Sequence, residues 1–160
     1  MAIRSSIKAL IQDEAGNVLL NEYRMKNGAL SYMLPGGGQR QHESMADALL
    51  RECLEETGYT IRMEGLVAVH EEISLDAHFR HIYPGYSHKI HHIFRCTLLD
   101  VPQKPPTEWD VGQVGTRWVS PSELPSIPLL PTLVKHALPA LFTADAPQFL
   151  GTEYTERWVR

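Results

Sequence analysis

Arg51, Glu52, Glu55 and Glu56 are the residues of this chain whose types and spacing point most directly to chemistry. On a helix at ~100° per residue, with Glu52 as origin, Glu55 falls at about −60° and Glu56 at about +40°. The three carboxylates therefore share one face. Like charges this close repel, and the i,i+4 pair Glu52 and Glu56 destabilises a helix by a few tenths of a kcal/mol. Arg51 is spaced to pair with Glu55, but one guanidinium does not neutralise three acids. Hard divalent cations such as Mg²⁺ take clustered oxygen ligands of this kind. The competing reading of any Glu-rich helix is a solvated face.

The elements that must position these groups are written around them. Leu34-Pro35-Gly36-Gly37-Gly38 leads in, and Pro35 pushes Leu34 toward extended geometry while the glycines let the main chain come close to a ligand. Glu43 and Ser44 supply a capping oxygen, Asp47 suits the positive end of the helix dipole, and Gly58 is a stop signal. Leu49, Cys53, Ala46, Thr57, Leu50 and Leu54 spread from roughly 60° to 200° on the same wheel, an apolar stripe for lying on a sheet.

The whole interval from Gly37 to Tyr59, with Glu43, Arg51-Glu52, Glu55-Glu56 and Gly58 at fixed separations, resembles the signature of the Nudix hydrolases. Leu34-Pro35-Gly36, Trp118 and Glu123-Leu124 also resemble that family's surroundings. Cys53 and Tyr59 fill apolar slots, and His42 stands where many members have glycine. The resemblance implies an α/β fold, the Nudix α/β/α sandwich with a mixed sheet. It implies an enzyme that hydrolyses a nucleoside diphosphate linked to another moiety, with water attacking phosphorus and Mg²⁺ or Mn²⁺ as cofactor. Glu52, Glu55 and Glu56, with the Gly36 carbonyl, are the expected metal ligands. Arg51 is expected to orient Glu55. Glu43 either borders the metal site through water or fixes Arg51. The alternative is a catalytically silent Nudix-like module that binds a nucleotide and regulates a partner.

The 160 residues, 43% hydrophobic and 21% charged, are expected to form a single domain over 1–160. A net charge of −4 argues against general binding to nucleic acid or anionic membranes, so a polyanionic substrate needs local cations. The start, MAIRSSIKAL, lacks a leader pattern and no run reaches the ~20 apolar residues of a membrane span. A cytoplasmic protein is expected, with Cys53 and Cys96 as buried free thiols.

Period-two patterns place strands at 5–12 and 18–20, read as an antiparallel pair across Asp13–Asn17. Polar 21–27 is expected to expose Arg24 and Lys26. Residues 59–63 and 66–70 read as two short strands or one bent one, 88–98 as a strand with His92 facing inward among Ile90, Phe94, Cys96 and Leu98, and 115–119 as a last strand. The histidines of that strand lack the companion motif of a zinc site. Residues 100–110 read as a loop, 120–124 as a short helix and 132–142 as a longer one that Pro139 kinks or ends. The segment 148–160, with Phe149, Tyr154 and Trp158, packs on the domain or on a second copy in a homodimer.

Residues 71–87 show neither period and read as a substrate loop. Phe79 and Tyr83 are expected to stack on a base, Arg80 to pair with phosphate, and Glu72 to contact substrate. Glu71, Glu72 and Asp76 are candidate general bases there, against Glu52 or Glu55 beside the metal. A small nucleotide, either a nucleotide sugar or ADP-ribose or a nucleoside triphosphate, is the expected substrate.

Overall fold

A computed structural model describes residues 3–156, and Trp158 lies outside them. Among the described residues the chain runs β1 (Arg4–Ile11), β2 (Val18–Arg24), β3 (Leu30–Met33), α1 (Met45–Thr57), β4 (Ile61–Ser74), α2 (Ala77–Ile82), β5 (His88–Leu98), β6 (Gln113–Val119), α3 (Thr132–Leu141) and β7 (Gln148–Thr155). Four strands form a mixed sheet in the order β1-β5-β4-β7, and three form an antiparallel sheet in the order β3-β2-β6.

Alternating side chains build two cores on opposite faces of these strands. Leu10, Leu20 and Ile93 pack with Val134 and Leu138 of α3. Ile7, Ala9, Leu19, Phe94 and Cys96 pack with Leu49 and Cys53 of α1. The arrangement is the expected α/β/α layering, and no helix among the described residues is long and apolar enough to cross a membrane.

Several expectations need correction. The first two strands are not a hairpin: after one antiparallel bridge, Gln12 to Val18, they enter different sheets. Ile7 to Ile11 are all buried, and β1 finds its ladder in a parallel pairing with β5. Residues 21–24 continue β2, with Asn21 and Tyr23 buried and Arg24 exposed. Of the two readings open after α1 the single strand holds, with register shifts near Gly65 and Val67. The supposed loop 71–87 is strand to Ser74, then α2 capped by the Asp76 carboxylate. β5 buries both faces, and the histidine buried deepest is His91 rather than half-buried His92. Residues 120–124 are turns, not a helix. On α1 the buried side is Ala48, Leu49, Cys53, Glu56 and Thr57, while Leu50 faces solvent. Within the C-terminal segment Gln148–Thr155 form β7 and pair with β4, one of the two placements expected for it.

Candidate active site

The glycine turn is hung on the free edge of β1. Ile7 N–H donates to the Gly37 carbonyl and Ala9 N–H to the Pro35 carbonyl, both at 2.9 Å, and Gln39 N–H donates to the Ser5 carbonyl at 3.2 Å. These bonds satisfy an edge that would otherwise be open. The contact is too close for side chains. At Gly36, where φ is 117°, a Cβ would overlap the Ile7 carbonyl, and at Gly37 it would overlap the Glu52 carboxylate.

α1 begins at Ser44, whose Oγ accepts from the Asp47 N–H at 3.1 Å. Glu43 is not part of that cap. Its two oxygens take Arg51 as a fork, Nε at 2.7 Å and Nη2 at 2.9 Å, and Arg40 N–H donates to it at 2.9 Å. In the structure Glu43 thus holds the Arg51 guanidinium in place. The guanidinium holds the Glu43 carboxyl down at about 2. Arg51 also reaches Glu52 Oε1 at 2.7 Å and Glu55 Oε2 at 3.1 Å through Nη1. Its own pKa is raised, chiefly by the bond to Glu43.

Glu56 differs from its two neighbours. It is buried, and one oxygen, Oε2, accepts from Asn21 Nδ2 at 2.7 Å and from the Gly36 N–H at 2.8 Å. Burial pushes its pKa up, opposed by the ammonium of Lys8 and these bonds. Lys8 in turn donates to the Gly36 carbonyl. Asn21 Oδ1 is buried without a donor among the described residues.

Lys8, Arg51 and the three glutamates of α1 border a cleft of about 860 Å³. Its carboxylates are Glu52, Glu55, Glu56, Glu108 and Asp110; its cations are Arg4, Lys8, Arg40, Arg51 and Lys89. Phe79, Tyr83, Tyr86 and Trp109 supply aromatic surface. A smaller cavity of about 90 Å³ adjoins it, sharing Lys8, Phe79, Lys89 and His91. Its floor is the mixed sheet, and Leu34, Leu130 and Val134 are apolar walls.

The structure distributes the expected substrate residues unevenly. Phe79 and Tyr83 border the cleft, their rings 5.3 Å apart. Arg80 does not border it; its guanidinium donates to the Ser74 carbonyl. Glu72 lines the smaller cavity, paired with Lys89 Nζ at 2.9 Å and His91 Nε2 at 3.3 Å. Burial raises the Glu72 pKa, but the imidazole and ammonium outweigh it and hold the group ionised. Burial lowers His91 to about 4, so the ring is neutral near pH 7. Glu71 binds His88 and Thr152, and Asp76 caps α2, so none of the three acids proposed there as a general base borders the cleft.

The donor set suits a hard divalent cation, since Glu52, Glu55, Glu56 and the Gly36 carbonyl are all oxygen ligands. Among the described residues no three acidic, histidine or cysteine side chains yet converge on one point. Arg51 gathers Glu52 and Glu55, and Lys8 holds the Gly36 carbonyl. Cation binding at these oxygens therefore requires rotation of side chains already beside one another.

Sequence reading missed the cleft cations Arg4, Lys8 and Lys89, together with Asn21 and Trp109. Lys8 carried a usable signal, a lysine flanked by Ile7 and Ala9 inside an apolar strand. The others gave none, because Arg4, Lys89 and Trp109 reach the cleft, and Asn21 reaches Glu56, only through tertiary packing.

The model of the NUDIX domain family matches residues 2–141. Among solved structures, a MutT protein from Bacillus halodurans superposes with a TM-score of 0.68 at 20% identity, over 96% of this chain and 91% of that one. A NUDIX hydrolase from Nitrosomonas europaea gives 0.67 at 23% identity, over 86% and 87%. An ADP-ribose pyrophosphatase from Streptococcus suis gives 0.61 at 21% identity, over 92% and 99%. At these identities the likeness is one of fold.

Proposed function

The chain belongs to the NUDIX domain family, and from that premise we propose that it hydrolyses the pyrophosphate bond of a small nucleotide in a reaction that depends on a divalent cation. The observation that carries this reading is one cleft in which three clustered glutamates face four basic side chains besides Arg51. A protein of net charge −4 binds a polyanion only where cations are concentrated, and Arg4, Lys8, Arg40 and Lys89 concentrate them here.

Glu52, Glu55, Glu56 and the Gly36 carbonyl are the groups that would hold Mg²⁺ or Mn²⁺. Such an ion supplies charge to stabilise the phosphates and lowers the pKa of the water it binds. Arg51 keeps Glu52 and Glu55 oriented while itself held by Glu43. Glu56 already accepts two N–H groups on one oxygen and is buried, so Glu52 and Glu55 are the better acceptors for the proton of the attacking water. Nucleotide sugars, ADP-ribose and nucleoside triphosphates fit the cleft's chemistry, and the ADP-ribose pyrophosphatase and MutT neighbours accord with that range. A cytoplasmic setting belongs to the same reading, supported by two buried free thiols, Cys53 and Cys96.

The deciding experiment incubates the protein with a nucleotide panel and Mg²⁺ and measures release of phosphate or nucleoside monophosphate. Saturable turnover of at least one member is expected. Saturable binding without turnover of any member would instead make this a regulatory module.

A further inference from the structure

The segment between β5 and β6 has no regular structure and carries Pro102, Pro105 and Pro106, yet it is anchored at a particular place. The last carbonyls of an α-helix have no partner within the helix. In α1 the Leu54 carbonyl is met by Gly58 N–H, and the next three are met from this segment and its junction with β6. The Glu55 carbonyl accepts from Thr107 N–H at 2.9 Å and Glu108 N–H at 3.1 Å; Glu56 accepts from Gln113 Nε2 at 3.2 Å, and Thr57 from Gln103 Nε2 at 2.9 Å. Lys104 N–H adds a bond to the Gly58 carbonyl at 2.9 Å, and a Cβ at Gly58 would overlap the Lys104 carbonyl.

Trp109 follows the residue bonded to Glu55. It borders the cleft with 51% of its surface exposed. The other aromatics there are already engaged: Phe79 is buried, Tyr83 packs on it, and the Arg4 guanidinium lies 4.4 Å from the centre of the Tyr86 ring. Among the described residues no ring or cation packs on the indole of Trp109 and no acceptor meets its Nε1. A large amphipathic ring left open in a cleft, on a segment hydrogen-bonded to the carboxylate helix, is a surface for another flat ring.

Resting on the nucleotide hydrolase reading, we propose that Trp109 is the stacking platform for the substrate's base and so a specificity-determining residue. Stacking on a π-face tolerates any base but favours the larger purines. The bond between Glu108 and Glu55 sets the platform's register against the carboxylates, so a stacked base is held one fixed reach from the scissile bond.

The test uses AMP, GMP, CMP and UMP as binding probes, titrated by calorimetry into the parent, Trp109→Phe, Trp109→Ala and Tyr83→Ala, with circular dichroism as the check on folding. Trp109→Ala is expected to weaken the tightest monophosphate about 5- to 150-fold, the range of one base stack, and Trp109→Phe to keep most of the affinity. With the best hydrolysed substrate, Trp109→Ala should raise KM and leave kcat within about twofold. The proposal is overturned if Trp109→Ala binds all four probes as the parent does, if Tyr83→Ala alone carries the loss, or if the folded parent binds none of them saturably. Turnover by the parent with a Trp109→Ala variant unchanged in KM would sink the platform and leave the hydrolase reading standing. Trp109-dependent binding with no turnover would do the reverse.

Discussion

Arg51 and Glu43 meet as two forks, Nε to Oε1 at 2.7 Å and Nη2 to Oε2 at 2.9 Å, eight residues apart across the start of α1. The contact ties the turn before the helix to the guanidinium that gathers Glu52 and Glu55. Its strength lies in planar geometry, which an ammonium cannot reproduce.

Arg51→Lys should therefore lower kcat by about tenfold or more and reduce the melting temperature, despite conserving charge. The pair also has an acid signature. Glu43 has a folded pKa near 2 against an ordinary 4.5, so its stabilisation is present above about pH 4.5 and is lost as pH falls through 2. Urea unfolding of the parent should lose on the order of 1–2 kcal/mol in that window from this group, allowing for its partial exposure, and Glu43→Gln should lack that component. Identical pH dependence in the two proteins would show that the fork is not a stabilising contact.

Glu55→Gln and Glu56→Gln should each cut turnover by at least about 10²-fold while the far-UV circular dichroism stays unchanged. At Glu56 the amide oxygen can keep both bonds, since Asn21 Nδ2 and Gly36 N–H converge on one oxygen. Parent-like rates in either variant would return this helix face to mere solvation.

Mg²⁺ or Mn²⁺ should raise the melting temperature, because a ligand that binds only the folded state stabilises it, and chelator should abolish activity reversibly. The shift should shrink in Glu55→Gln. Full activity in excess chelator would rule out the cation-dependent mechanism, whatever the substrate proves to be.

His42 holds φ at 65°, the only non-glycine residue with positive φ among those described. It occupies the slot where many signatures of this type carry glycine. His42→Gly should stabilise the fold by about 0.5–1 kcal/mol, relief of the left-handed strain exceeding the added freedom of the unfolded chain. Thermal unfolding at matched pH checks this. A drop in melting temperature would mean that the imidazole makes a compensating contact.

The local parts of the site were legible in the amino-acid order. The Ser44 cap, the Gly58 stop and the grouping of Arg51 with the glutamates all depend on residues within one or two helical turns, where spacing dictates geometry. Glu56 shows the limit. Its wheel angle places it with Glu52 and Glu55, but Asn21 and Gly36 draw it into the interior, and neither is near it in the chain. Strand partners were harder still. The turn chemistry at Asp13–Asn17 was read correctly as a turn, with Asp13 N–H donating to the Asn17 carbonyl at 3.0 Å, yet the flanking strands part because β1 pairs with β5. α2 escaped notice because six residues are too few to display a 3.6 period.

The partners of Glu56 set an order on biosynthesis. Asn21 lies 35 residues before it and Gln113 lies 57 residues after it. Contacts so distant along the chain form only after long loops close, which slows folding and places them late. A ribosome that has released the whole stretch from Gly37 to Tyr59 has thus delivered all three clustered glutamates but not the contacts that seat Glu56 and close the end of α1. The last carbonyls of α1 stay open to water until residues 103–113 emerge, and the same emergence brings Trp109 to the cleft.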